Sequence, residues 1–381
     1  MTDPFTASDP FAALARLRAA GPVHRLVTPD GPPAWLLTRY ADVRGGLGDQ
    51  RLALDRAHAG GGYTGFDLPP QLDAHLLNSD PPRHTRLRRE IAPSFTAQRV
   101  RALAPEVRAV AAELAAELPA EADLVPDFAV VLPVRIISEL LPLPPDARAE
   151  FLGWADALLR HSPGAEPRAR DTMRDMRGII GSALGSAPPE GSLLAGLLAA
   201  RAGDRLDADE LTSMVFYLLF VWYEIMVHAV GSTLLRLLGE PDVDAEAGVE
   251  EVLRLHPPQL LAAPRYALTE LEIGGTRIPA GDTLLLSVAS ANRDEDVFPD
   301  AESFRPERSP NAHLSLGHGI HACPASALTR VIAVAAVAAL REARPGARPV
   351  VTAETASWRG NFRHRGPASL LIREASTRGK G

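Results

Sequence analysis

His313 to Arg330 reads HLSLGHGIHACPASALTR and holds the one cysteine of the chain, Cys323. A solitary cysteine is most often an inert, buried, small hydrophobe. The neighbours here argue for more. Gly317 and Gly319 permit tight backbone turns just upstream of the thiol. Downstream, Ala325 to Leu340 is rich in strong helix formers, so the sulfur is expected at or just before a helix N-terminus. Backbone N–H groups and the helix dipole at such a place favour the thiolate. A thiolate so placed serves as a nucleophile, with His321 as its base, or as a ligand to iron. These residues alone leave both readings open.

Outward from that stretch, the 381 residues suffice for one large domain or two ordinary ones. Apolar residues make up 46% and charged residues 23%, a balance that supports a large core. The net charge of −7 comes with no compensating basic stripe, which argues against a nucleic-acid binder. A single cysteine forbids an intrachain disulfide and points to a reducing compartment. The opening MTDPFTASDPFAAL places prolines and acidic residues where a secretory signal needs basic charge and an apolar run. Met214 to Tyr223 is the one transmembrane candidate, with ten apolar residues against the roughly 20 that a span needs. The expectation is a soluble, cytoplasmic protein with no membrane contact and a buried core helix.

Helical periodicity dominates the rest. Apolar residues recur at spacings of three and four in Phe11 to Ala20, Ala97 to Leu118, Asp146 to Arg160, Ala169 to Leu184 and Asp207 to Leu238. Strand signals are weaker: Ala34 to Thr38, Leu271 to Ile278 around a Gly-Gly turn, Thr283 to Val288, and Ser369 to Ile372. The pattern predicts a mainly α protein with a small β portion, without repeats or a linker between domains. Gly60 to Gln71 (GGGYTGFDLPPQ) is too rich in glycine and proline for a regular element. It reads equally as a plain surface loop or as one that covers a substrate.

The cysteine stretch resembles the haem-binding loop of the cytochromes P450, whose pattern is Phe-Gly-x-Gly-x-His-x-Cys-x-Gly. Leu316, Gly317, Gly319, His321, Cys323 and Ala325 stand at those places, with Leu316 for the Phe and Ala325 for the last Gly. EEVLR carries Glu251-x-x-Arg254, by itself an unremarkable i, i+3 surface pair. In the family this pair joins a later arginine, for which Arg308 in VFPDAESFRPER is the match. ANRDEDVFPD, LEIGGTRIPAGDTL and the early DPPRHTRLRREIAPSFT also resemble the family, so the likeness spans nearly the whole chain.

That resemblance implies one cytochrome P450 domain over residues 1–381, enclosing a haem b whose iron is held by Cys323. Its propionates need cationic partners in an apolar interior. By resemblance these are His84 and Arg88 from the early helix, Arg265 and His321, any of which alone would read as solvated surface charge. Electrons would come from NAD(P)H through redox partners, a ferredoxin and a ferredoxin reductase. Arg83, Arg86, Arg89 and Arg330 resemble the face that receives the ferredoxin, and solvated surface is an equally good reading of them. The connection from Leu238 to Glu250 is shorter than the family usually has, so an intervening helix is expected to be reduced.

The resemblance aligns FVWYEIMVH, Phe220 to His228, with the family's central helix, where [Ala/Gly]-Gly-x-[Asp/Glu]-Thr is usual. Val221, Trp222, Tyr223, Glu224 and Ile225 stand there instead, so Glu224 is the acid of a pair that lacks its alcohol. Its other reading is a buried carboxylate satisfied by a distant partner. Trp222 is a better helix residue than Gly, and Ile225 offers no hydroxyl to hold water, so a straighter, drier helix is expected. Substrate contacts are expected from Phe216, Leu219, Phe220, Val221 and Ile225, from Leu260 and Leu261 through Ala263, and from the turn at Asn361 and Phe362. Gly60 to Leu77, Leu158 and Leu159 are further candidate walls.

The function so implied is a haem-thiolate oxidative enzyme of the monooxygenase type. It would tailor a small, largely apolar secondary metabolite with non-standard oxygen activation. The alternatives are a rearrangement, cyclisation, coupling or peroxo-dependent reaction, or a P450-like adaptor without catalysis. A Cys–His hydrolase would bind no haem.

Overall fold

Spaced apolar residues become helices because each buries one stripe, and the ends are set by local caps. The computed structural model describes residues 3–7, 9–29, 31–65, 69–160, 169–360 and 362–374. The helices Pro10–Ala20, Ala97–Glu117, Pro145–Arg160 and Ala169–Leu184 lie where the periodicity predicts them. The chain divides into two compact units: Met1–Leu87 with Glu250–Ser326 and Gly360–Arg365, and Arg88–Val249 with Ala327–Arg359 and Gly366–Gly381.

The first unit is built on a five-stranded sheet ordered Val23–Val27, Pro33–Leu37, Thr283–Leu286, Arg265–Ala267, Leu52–Ala53. Pairing is antiparallel except where Pro33–Leu37 runs parallel to Thr283–Leu286. Thr283–Leu286 is buried throughout and carries no alternation, as a central strand covered on both faces should. Its unbroken apolar run makes it legible, whereas Val23–Val27, Arg265–Ala267 and Leu52–Ala53 are short or weakly patterned and go unpredicted. One cluster joins Leu37, Val43, Leu47, Leu284, Leu286 and Leu314, and another joins Leu14, Leu17, Leu36, Leu260, Leu261 and Leu285. Leu271–Ile273 and Thr276–Ile278 form the expected hairpin across Gly274 and Gly275. Of the segment from Gly60 to Gln71, the final residues do enter a regular element, the short helix Pro70–Asp73.

The second unit is helical and includes two helices that the sequence reading missed, Val131–Leu140 and Leu193–Ala202. Its central run starts on a capping box: Asp207 accepts the Glu210 N–H at 2.7 Å, and Glu210 accepts the Asp207 N–H at 3.1 Å. From there the helix Ala208–Phe216 passes through a π-turn, Tyr217–Val221, into Trp222–Leu237. The expectation of a straighter helix concerns Trp222 and Ile225, which lie in the continuous α-helix. The π-turn just ahead of them is what the sequence did not predict. A π-turn takes one extra residue, and here the aromatic rings use the added width. Phe216 and Phe220 stack at 5.3 Å, while Tyr223 turns in against Phe151 and Trp154. Ala208–Leu237 is also the one described helix long and apolar enough to cross a membrane, and 72% of its most apolar window is buried inside the protein.

Between this run and the helix Ala245–Leu255, residues 238–244 form turns without a helix. The predicted strand at Ser369 to Ile372 shifts to Ile372–Glu374, paired antiparallel with Ala347–Pro349, while Leu371 makes only an isolated bridge to Asp123.

Candidate functional site

The Cys323 loop is set by its own backbone. Gly317 and Gly319 have φ of +76° and +72°, in the left-handed region that side chains resist. A Cβ on Gly319 would lie 3.2 Å from the Leu47 carbonyl oxygen, and one on Gly317 would lie 3.3 Å from the Ala322 Cα. The chain then folds back so that the Cys323 N–H donates to the Leu316 carbonyl at 2.8 Å. The half-buried thiol stands three residues ahead of the helix Ser326–Ala343, and the Ser326 N–H donates to the Cys323 carbonyl at 3.3 Å.

Beside this loop lies an ion network with a fully buried centre. Glu251 and Arg254 are both inaccessible and make a bidentate pair at 2.7 and 2.8 Å. Arg308 Nε donates to Glu251 Oε1 at 3.2 Å, so the structure brings the three residues together. Asn311 and the Arg305 N–H also donate to Glu251, and Arg254 spans the carbonyls of Asn292, Ala301 and Ser303. Asn292 is the residue that the motif reading missed. Its amide oxygen accepts the Leu314 N–H at 2.8 Å and its amide nitrogen donates to Ser315 Oγ at 2.8 Å, which ties the network to the start of the cysteine loop.

The predicted cations are placed as follows. His84 and Arg88 sit four residues apart on the helix Arg83–Ile91, His84 buried and Arg88 half-buried. The His84 and His321 rings approach to 4.0 Å at 50°. Arg265 is 3% exposed, and among the described residues its guanidinium donates only to the Ala263 carbonyl, at 2.8 Å. Burial pushes Arg265 down to about 10, against the pull of Asp80 and Tyr266. It remains a cation at neutral pH, and a buried cation requires an anion. The other buried arginines have carboxylates, Arg254 with Glu251 and Arg293 with Glu302; Arg265 makes no ion pair among the described residues. A cysteine thiol, a glycine cradle that rejects Cβ atoms and a buried cation without its carboxylate suit a flat group carrying acidic arms.

In the second unit, most of the central helix is buried, and one stripe of it is not. Tyr217, Phe220, Val221, Glu224 and Ile225 are half-buried, at the spacing of a single helix face. Phe216, Leu219 and Tyr223 are buried core instead. Phe220 packs on Trp154 at 5.5 Å, and Trp222 meets Phe95 edge-on. In the first unit, Leu260 and Leu261 lie in the core, with Phe362 half-buried between Phe5 and Tyr63 at 5.2 and 5.8 Å. Asn361, residues 66–68 and the side chains of Leu158 and Leu159 lie outside the described residues.

Comparison with known proteins agrees with this geometry. A family model described as Cytochrome P450 matches residues 245–324. The chain is 36% identical over 384 residues to Cytochrome P450 monooxygenase PikC of Streptomyces venezuelae, across 96% of this chain and 91% of that one. It is similar to the solved structure of the tirandamycin C-bound P450 monooxygenase TamI, with a TM-score of 0.88, 35% identity, and coverage of 98% and 99%. A further neighbour, described as the cytochrome P450 enzyme CxnD for C–S bond formation in chuangxinmycin biosynthesis, has a TM-score of 0.82 at 28% identity, covering 96% and 95%. The mainly helical fold with a small β portion is theirs, and the chain belongs to the cytochrome P450 family, oxidoreductases that carry haem b and draw electrons through redox partners.

Proposed function

We propose that this P450 tailors a small, largely apolar secondary metabolite by oxygen activation that lacks the family's acid–alcohol pair. The observation that carries the reading is Ile225 beside Glu224, both on the half-buried stripe of the central helix. The haem, when bound, supplies a thiolate-ligated iron that activates dioxygen for attack on a substrate bond. Cys323 would hold the iron, with Gly317 and Gly319 shaping the loop beneath its sulfur. His84, Arg88, Arg265 and His321 would neutralise the propionates. Glu224 would hold or release a proton, and Ile225 can neither donate one nor anchor water. Losing a positioned proton-transfer group costs about 10² to 10⁴ in rate.

Phe220, Val221 and Ile225 of the helix, and Phe362, would provide apolar surface for the substrate, with Phe216, Leu219, Leu260 and Leu261 backing it from the core. The whole chain would act as one domain, in the cytoplasm, with a ferredoxin and its reductase as the electron source. A second reading, coupling in place of oxygen insertion, draws on the same missing hydroxyl and on the likeness to CxnD.

The test is the share of reducing equivalents lost as hydrogen peroxide during turnover, in wild type and in Ile225→Thr. The expected outcome is high loss in wild type and a marked fall in the variant. Tight coupling of wild type with an inert substrate analogue that lacks polar groups would overturn the reading.

A further inference from the structure

We propose that Arg359 is a positioning residue that keeps the Glu224 carboxylate ionised and aimed along the open stripe of the central helix. The inference deepens the proposed function and rests on Glu224 being the acid of the proton-handling site.

The C-terminal segment is seated on one face of that helix. A Cβ on Gly366 would meet His228 Nδ1 at 2.2 Å and its Cα at 3.0 Å, so the Gly366 backbone lies directly against the helix. One turn on, a Cβ on Gly231 would meet Pro367 Cγ at 2.9 Å. Glu224, His228 and Gly231 follow at spacings of four and three, which puts them on a single face. The Ala368 N–H donates to the Ser357 carbonyl at 2.8 Å, and the chain reverses between them, so Arg359 stands opposite Gly366. The half-buried Arg359 thus lies on the strand paired with the one seated on this face.

Electrostatics agree with that placement. Burial pushes the Arg359 guanidinium below its ordinary value, while the Tyr223 phenol and then the Glu224 carboxylate pull it back up. Of the other ionisable groups on elements packed against the helix, Arg365, beside Gly366, lies over the Phe11 ring at 5.1 Å and feels the Asp9 charge. Asp127 accepts the Asp123 N–H at 3.0 Å, Arg135 pairs with Glu113 at 3.2 Å and Glu139 with Arg148 at 3.8 Å. On the helical run itself, Tyr217, Tyr223 and His228 are the titratable neighbours, and Arg236 pairs with Glu240 further along. Arg359 is thus a cation within Coulombic reach of Glu224. A carboxylate among Phe220, Val221 and Ile225 is costly unless a charge partner compensates its desolvation. With no alcohol at position 225 to fix water beside the acid, its orientation falls to the guanidinium, whose planar fork sets a direction that an ammonium does not.

The test uses the haem-loaded full chain and no organic substrate. Isotope-edited infrared difference spectra follow the Glu224 carboxyl through a pH titration in wild type, Arg359→Gln and Arg359→Lys, with Glu224→Gln assigning the band. The expected result is an upward shift of about one pH unit or more in Arg359→Gln, largely reversed in Arg359→Lys. In parallel, NADPH, a ferredoxin and a ferredoxin reductase drive dioxygen consumption, and released peroxide is measured against pH. Its profile should move upward with the infrared shift, and the double variant should be no worse than Glu224→Gln alone. An unchanged titration and profile in Arg359→Gln, with an intact reduced carbon-monoxide spectrum, would overturn the proposal. So would a protonated Glu224 band at neutral pH in wild type, which needs no variant to fold. An infrared shift with no effect of Glu224→Gln on peroxide release would sink the acid reading instead, so the two failures are separable.

Discussion

The Cys323 loop and the central helix are built on opposite principles. The loop is irregular backbone, pinned by two positive-φ glycines and by Asn292, which links it to a buried carboxylate and its arginines. Every link is directional, so each residue type is dictated by geometry. The helix makes its own backbone hydrogen bonds and is placed by apolar and aromatic packing, which accepts many shapes. Its π-turn lies just ahead of Trp222 and Ile225, which stand where the family usually has Gly and Thr. Polar networks resist change, whereas packed helices let chemistry drift. That is the physical reason the departures from the family pattern on the helix reach its reactive residues, while those on the loop are apolar exchanges at its edges.

The comparison can be broken most sharply at the sulfur. Cys323→Ser should abolish the long-wavelength Soret band of the reduced carbon-monoxide complex and all turnover, which a spectrum and a peroxide-release assay will register. A retained band would refute the loop's role outright. Arg254→Leu comes next, because it leaves Glu251 a buried, underpaired carboxylate and three carbonyls without donors. The expected loss is about 3–5 kcal/mol in denaturant unfolding, with haem retention falling alongside.

A third prediction concerns pH. His75 in the first unit is held down to about 3 by burial first, then by the Arg83 and Arg56 charges. Its folded value lies below its unfolded one, so the unfolded chain binds the extra proton between them. Its contribution is fully present above pH ~6.5 and is lost as pH falls toward 3. From pH 7 to 5, wild type should lose about 2 kcal/mol more unfolding free energy than His75→Gln.

The smallest effect sharpens the contrast by its sign. Gly319→Ala places a Cβ at positive φ and 3.2 Å from the Leu47 carbonyl oxygen, and should cost about 1–2 kcal/mol. Gly196→Ala, inside the helix Leu193–Ala202 with open space around it, should stabilise by about 0.5–1 kcal/mol. Thermal unfolding of both variants checks the pair.

Much of the loop was legible in the sequence. Glycines two apart before a cysteine, followed by a helix former, constrain one another within a dozen residues, so the turn and the helix start follow locally. The long helices were legible for the same reason, since their stripes repeat every three or four residues. Asn292 was not, because its function comes from Leu314 and Ser315, more than 20 residues away. Nor was the π-turn, which depends on how Phe216, Phe220 and Tyr223 pack with Phe151 and Trp154 from another helix.

By itself, then, the amino-acid order determined the helical class, the cysteine loop with its turn, and the absence of a hydroxyl at position 225. Those are properties of neighbours along the chain, where propensity and spacing act. Only the tertiary structure decided which charges remain buried without a carboxylate, as at Arg265, and which distant arginine stands near Glu224. Desolvation and Coulomb attraction depend on what surrounds a group in space, and Glu224 and Arg359 lie 135 positions apart in sequence.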